Sequence, residues 1–590
     1  MLDLIIKGGT LVDGSGAEPY VGDLGVHDGR IVEVGRVTGT AKRTIDADGA
    51  IVTPGFTDIH THYDGQVSWD EEMAPSSLHG VTTCAMGSCG VGFAPVLEAD
   101  RERLVRLMEG VEDIPGSALS EGIRWGWETF PEYMDCLDRM PHTIDFMAHV
   151  PHDALRVYVM RDRAVANEDA TDEDIARMRD IVREAVEAGA IGFSTGRSDN
   201  HRSADGDPTP ASEAAGRELS GIAEAFAGLN HGVLQAVNDF DIMQGDARFH
   251  PEFDLLEDML VASGGRPMSI STMQRDHSAR QWEWIFDRAQ QCVDKGYDVR
   301  CQVAPRGIGV MLGLSATFHP FMGFPSFKAI SHLPLAEQVR RMRDPALKAR
   351  MIAEKSEPVS GDGSPLPPLA DFFLANIDMV ALRLFRLGEQ PNYEPSITES
   401  LGTEAMVRGV PVLSVLYDAM LEDEGRALTY FPVYNYAGMN LDVVHEMLTH
   451  PLALPGLSDG GAHVGTICDA SFPTFLMTHW ARDRESGRIP LERVVQMQSR
   501  DTARFVGLHD RGELKLGQRA DINVIDLSRL QLRHPELVAD LPAGGERLIQ
   551  RAEGYIATLV AGEVIASQGE ITSARPGRLV RSGRHGSLSQ

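Results

Sequence analysis

The chain has 590 residues and a mass of 64.4 kDa, with 43% apolar and 24% charged residues, which suits a globular protein with one large and one smaller domain. Its formal net charge of -31 would repel phosphate backbones and anionic headgroups, so nucleic acid and membranes are excluded as partners and a small-molecule substrate is expected. The cysteines (Cys84, Cys89, Cys136, Cys292, Cys301, Cys468) lack framework spacing and the N-terminus turns polar almost at once, so no disulfide scaffold, signal peptide or membrane span is expected and the chain reads as cytoplasmic.

Residues 1–52 are Val/Ile-rich segments of single-strand length punctuated by glycine: LIIKGGTLVDG, DLGVHDGRIVEVG and TIDADGAIVTPG. Similar segments recur at Leu514–Leu527 and Tyr555–Thr572, so residues 1–54 and 510–572 are expected to assemble one small β-sandwich domain. Between them, over 55–509, apolar strand-like runs alternate with helical stretches, as a parallel α/β architecture requires. The runs are Phe56–His62, Val81–Cys89, Asp145–Val150, Ala190–Gly196, Val233–Asp239, Met268–Gln274, Asp298–Arg306 and Gly456–Gly461. They number eight, which closes a (β/α)8 TIM-like barrel. Among the helices, Thr171–Gly189 has an N-cap threonine, an acidic first turn, a helical apolar period and a terminal glycine.

The interval 307–454 is too long for one crossover and holds the Pro-rich break EPVSGDGSPLPPL. Following strand seven, it falls on the catalytic face of a barrel and is expected to be a lid, with a helical appendage for homo-oligomer contacts as the alternative. The tail, 573–590, is basic and rich in glycine and serine, and is expected to be disordered. No internal repeat is present.

The most informative stretch is TPGFTDIHTH, Thr53–His62, where an apolar run delivers His60 and His62 to a strand tip. Alternate residues of a strand point the same way, so both imidazoles can face one cation. The tips of parallel barrel strands meet at one mouth, which adds Cys89 from the second and Asp459 from the eighth. Imidazole, thiolate and carboxylate together suit zinc, and Asp459 can also accept a proton from water and return it to a leaving nitrogen. His463 is a candidate to polarise a scissile carbonyl, or alternatively to orient a metal ligand. Arg197, His201, Arg306 and His152 are candidates for the substrate, the arginines because a guanidinium fits a carboxylate with two parallel hydrogen bonds, with a structural ion pair to a neighbouring acid as the alternative for Arg197 and Arg306.

With these motifs the chain resembles the amidohydrolase superfamily and, within it, the N-acyl-D-amino-acid deacylase (D-aminoacylase) group. The resemblance runs through LIIKGGTLVDGSG, PGFTDIHTHYDGQ, HGVTTCAMGSCGVGFAP, VEDIPG, EGIRWGWETFPEYMD, AHVPHDALR, EAGAIGFSTGR, LSDGGAHVG and RGELKLGQRADINVIDL. It implies metal-dependent hydrolysis of an amide C–N bond, with N-acyl-D-amino acids as the first substrate class, and places the metal and catalytic set on His60, His62, Cys89 and Asp459. The group also carries a metal-binding histidine at the tips of strands five and six. Here those stretches read LQAVNDF and ISTMQRD, without histidine. One zinc ion is therefore expected rather than two, with manganese, iron or cobalt as open alternatives. Replacement ligands from a loop, such as His231 or His277, stay open, as do another reaction on the same barrel (cyclic-amide or lactone opening, deamination, decarboxylation) and a metal-poor relative without enzymatic activity.

Overall fold

Eight short parallel strands form the centre of the molecule: β1 (Phe56–Asp58), β2 (Val81–Met86), β3 (Asp145–Pro151), β4 (Gly192–Arg197), β5 (Val233–Asn238), β6 (Met268–Thr272), β7 (Val299–Val303) and β8 (Ala453–Pro455). The computed structural model describes residues 1–240, 245–360, 366 and 368–583. Strands β2, β3 and β4 are buried at every residue, as in parallel sheets covered on both faces. Neighbours pair in sequence order from β1 to β8. The circle closes where Thr61 bridges Gly460 in parallel and His62 N donates to Gly460 O at 2.8 Å.

Seven strands fall within or beside the expected runs, but the eighth is Ala453–Pro455 rather than Gly456–Gly461. Leu457 and Asp459 have φ of 61° and 49°, a left-handed backbone that cannot continue a strand, so LSDGG curls back over the mouth as a loop. Helix α1 (Arg101–Glu112) follows β2, and α2 (Asp172–Ala188) precedes β4. The α2 ends follow the sequence: Thr171 and Asp174 form a reciprocal capping box, and Gly189 closes the helix at φ 114°.

Both termini build one nine-stranded sheet, joined where Ile51–Pro54 pairs antiparallel with Ile522–Ile525. Its first strand, Leu2–Leu11, pairs with Ala41–Asp46 along its first part and Ile51–Pro54 along its last, with a bulge between Ile6 and Gly9. The layers expected of a sandwich are thus hydrogen-bonded through one bulged strand around a core that includes Leu4, Ile6, Leu24, Val52, Ile522 and Leu559. A buried ionic network ties this unit to the barrel. Asp145, opening β3, accepts from Arg511 at 2.7 Å and Arg519 at 3.0 Å, and Arg519 also pairs with Asp521 at 2.9 Å.

The segment between β7 and β8 has its own apolar core, with Leu312, Phe321, Val415, Leu416, Tyr417 and Met420. It bonds to the loops at the barrel mouth. Met311 N donates to Thr466 O at 2.7 Å, Gln274 N to the Asn435 side chain at 2.7 Å, and Asn200 Nδ2 to Tyr434 Oη at 3.2 Å.

The tail requires a correction. Residues 573–583 are seated on the barrel, with Leu579 bridging Phe146 and Ser582 N donating to Gly189 O at 2.8 Å. Burial of Leu579 and Val580 and the bond from Arg581 to Ala188 O at the end of α2 overcome the polar composition. Residues 584–590 lie outside the described residues.

Candidate metal centre and active site

The sequence around Cys89 is built to turn sharply. Gly87, Cys89 and Gly90 all have positive φ, 76°, 57° and 78°, which aims the thiol from the end of β2 across the mouth. A Cβ on Gly196, at the tip of β4, would collide with the Cys89 carbonyl oxygen, so only glycine there lets the turn sit so close. Asp459 and His463 also hold left-handed φ, 49° each. Strained backbone at several functional candidates in one place is characteristic of a preorganised site.

His60, His62, Cys89 and Asp459 converge. His60 Nε2 lies 3.1 Å from Cys89 Sγ and 3.3 Å from Asp459 Oδ1, and His62 Nε2 lies 3.4 Å from the same oxygen. One ligand atom from each of His60, His62 and Cys89 falls within 4.8 Å of the others. In a tetrahedral zinc site, nitrogen and oxygen ligands stand about 3.3–3.4 Å apart and a nitrogen–sulfur pair about 3.5 Å. The N–O separations match, and the N–S pair needs to open by a few tenths of an ångström. Both imidazoles and the thiol are buried, an expensive set of polar atoms to hide without an ion to share.

Strands β5, β6 and β7 contribute support. Gln302 Oε1 is 2.7 Å from His60 Nδ1, and Gln302 Nε2 donates to Ser269 Oγ at 2.8 Å, which fixes the amide. His60 therefore carries its proton on Nδ1 and presents a bare Nε2 to the cluster. Gln235 Oε1 accepts from Cys89 N at 2.8 Å and so pins the turn. Sequence reasoning missed these glutamines; the available signal was an amide in an otherwise apolar strand. It also missed Glu112, whose carboxylate stands 3.2 Å from His62 Nδ1 and 3.5 Å from His463 Nε2.

The electrostatics divide the two histidines. Burial pushes His60 down to about 4. Burial also works against the charged form of His62, but Glu112, Asp459 and Cys89 outweigh it and hold the ring well above the ordinary histidine value. Burial raises the Cys89 thiol to about 12. Asp459 resists its own burial, because the bond to His62 and the charges of His60, His62 and His463 keep it well below the usual carboxylate range.

Of the remaining candidates, His201 borders the cluster: burial first, then the charges of His463 and His62, lower it to about 3. The other three are engaged elsewhere. Arg197 forms a buried fork on Glu252, 2.8 and 3.2 Å, and donates to Ala214 O. His152 lies between Thr195 Oγ1 and Glu218 Oε1, 2.9 Å each. Arg306 is fully buried, stacked 3.5 Å from the centre of the Tyr393 ring and bonded to Asp469 at 3.0 Å. His231 packs against Gly583, just ahead of β5 and so at the opposite end of the barrel from the ligands, and His277 is not among the residues that group around His60.

The model of the amidohydrolase family matches residues 43–362 and 409–566. The D-aminoacylase of Alcaligenes xylosoxydans xylosoxydans is 28% identical, over 98% of this chain and 97% of its own length. The N-acyl-D-aspartate deacylase of the same organism is 37% identical over 33% of this chain and 36% of its own. Among solved structures, the N-acyl-D-glutamate deacylase of Bordetella bronchiseptica, complexed with zinc and a phosphonate inhibitor, superposes with a TM-score of 0.63 at 22% identity, covering 98% of this chain and 99% of the other. Fold, motifs and the family match over most of its length agree: the chain belongs to the amidohydrolase family.

Proposed function

We propose that this protein is a metal-dependent hydrolase of amide C–N bonds in small molecules, with N-acyl-D-amino acids as the first class to test. One observation carries the reading: three buried donors, His60, His62 and Cys89, and the partly exposed Asp459 meet in the mouth of the barrel, with nitrogen–oxygen separations of 3.3 and 3.4 Å like those around zinc. We assign His60, His62 and Cys89 to one zinc ion, with Asp459 as a weak fourth ligand that gives way to water. A cation so held supplies Lewis acidity and makes water acidic enough to react near neutral pH. Asp459, through its second carboxylate oxygen, accepts the proton from the attacking water and returns it to the departing nitrogen. His463, held on the same loop, donates towards the carbonyl oxygen as charge develops there. The segment between β7 and β8, bonded to the loops at the mouth, acts as the lid over the substrate. The unpaired cysteines suit a reducing cytoplasm, and among the described residues no helix is long and apolar enough to cross a membrane.

The engagement of Arg197, His152 and Arg306 with Glu252, Glu218 and Asp469 favours a second reading of the substrate. Arg197 is committed to Glu252 through two nitrogens and Arg306 to Asp469 through one, fully buried, which favours His201 as the substrate candidate beside the cluster. The same hydrolysis on an uncharged or cyclic amide therefore belongs in the test. Zinc-loaded protein is assayed against N-acyl-D- and N-acyl-L-amino acids, their amides, and cyclic imides or hydantoins. Turnover of the D-acyl acids supports the first reading, turnover of neutral or cyclic amides the second, and turnover of none rejects both.

A further inference from the structure

We propose that Glu112 is a positioning residue for the candidate metal centre, holding His62 and His463 at once from the end of α1; this rests on the metal-hydrolase reading above. Its carboxylate is 1% exposed, and its two oxygens face two different imidazoles, Oε1 with His62 Nδ1 at 3.2 Å and Oε2 with His463 Nε2 at 3.5 Å. His62 Nδ1 makes no aligned hydrogen bond, so the carboxylate is the partner that decides how this ring is held. A carboxylate on the far nitrogen of a ligating imidazole fixes the ring and its tautomer, leaving Nε2 for the ion.

The placement is costly unless it serves this purpose. Glu112 occupies the last turn of α1, before Asp113 at φ 52°, where the negative end of the helix disfavours a carboxylate. The backbone nevertheless builds the contact on purpose-made lines. The Glu112 carbonyl accepts from His463 N, and Asp113 Oδ2 accepts from Gly465 N and Thr466 Oγ1 at 3.2 Å each. The end of α1 is thereby stitched to the loop that carries Asp459 and His463, and the carboxylate is set between that loop and the tip of β1.

A purely structural role through the main-chain bond to His463 would survive any change of side chain, which makes the two cases separable. Zinc affinity is measured by competition with a chromophoric chelator in the wild type, Glu112→Gln, Glu112→Ala and Glu112→Asp, with thermal unfolding of each metal-free protein alongside. Glu112→Gln keeps the shape and removes the charge, so it decides the question if Glu112→Ala does not fold. The expected result is a loss of zinc affinity of about 10–100-fold in Glu112→Gln, with metal-free unfolding little changed and Glu112→Asp intermediate. Wild-type affinity in Glu112→Gln overturns the role of Glu112 and leaves the metal centre standing. A wild type that binds no zinc overturns both.

Discussion

Replacing Gln302 with leucine isolates the support of one ligand from the ligand itself. The side chain is similar in size, so packing in β7 is largely kept, but the acceptor 2.7 Å from His60 Nδ1 is lost. The buried Nδ1–H is then left without a partner, at about 1–3 kcal/mol, or the ring shifts its proton to Nε2, where it points into the cluster. Either way the form that ligates must be regained on binding. The expected loss of zinc affinity is about 10–100-fold, or about 1.4–2.7 kcal/mol. Gln302→Glu restores an acceptor and should recover most of the affinity, which separates the hydrogen bond from the volume. The assay is chelator competition at constant pH and ionic strength. Unchanged zinc affinity in Gln302→Leu would refute the reasoning that this amide sets the tautomer of His60.

Asp459→Asn is expected to lower turnover by about 10²–10⁴ in steady-state assays, while circular dichroism stays that of the wild type; wild-type turnover would remove Asp459 from the chemistry. Asp145→Ala leaves Arg511 and Arg519 facing a buried void at the base of the barrel, and should cost about 3–5 kcal/mol in denaturant unfolding followed by fluorescence. A cost below about 1 kcal/mol would mean that the terminal sheet is held by its apolar contacts alone. For Glu394, burial favours the neutral acid, but His479 and Arg484, each 2.9 Å away, hold it down at about 2 from 4.5. A carboxyl depressed on folding stabilises the native state above its unfolded value and loses that contribution as pH falls from about 4.5 towards 2. The stability gap between wild type and Glu394→Gln should therefore shrink over that interval by up to about 3 kcal/mol, and a gap independent of pH would contradict the pairing.

The barrel and the meeting of the candidate ligands were legible because each rests on local pattern. Continuous apolar runs of strand length placed seven strands, and the convergence of strand ends at one mouth pointed to His60 and His62, Cys89 and Asp459 from three distant stretches. The eighth strand was misplaced because the apolar character of Leu457 and the pull of Asp459 hid a backbone forced into the left-handed region. Arg197, His152 and Arg306 looked available because their partners Glu252, Glu218 and Asp469 lie 55, 66 and 163 residues away, and a sequence does not display pairs. Glu112, Gln235 and Gln302 were overlooked for the opposite reason. Gln235 and Gln302 are amides inside apolar strands and Glu112 lies on a helix, and each matters through the candidate ligand it touches. In the tail, composition outvoted Leu579 and Val580, the two apolar residues buried there against the barrel.

The central claim is that one ion is held by His60, His62, Cys89 and Asp459. Its most direct test is metal content per chain by plasma mass spectrometry, on protein made without a metal-affinity tag and incubated with zinc, beside the His60→Ala/His62→Ala double variant. About one zinc per wild-type chain and none in a folded double variant are expected. No zinc in the wild type, or equal zinc in both, would contradict it.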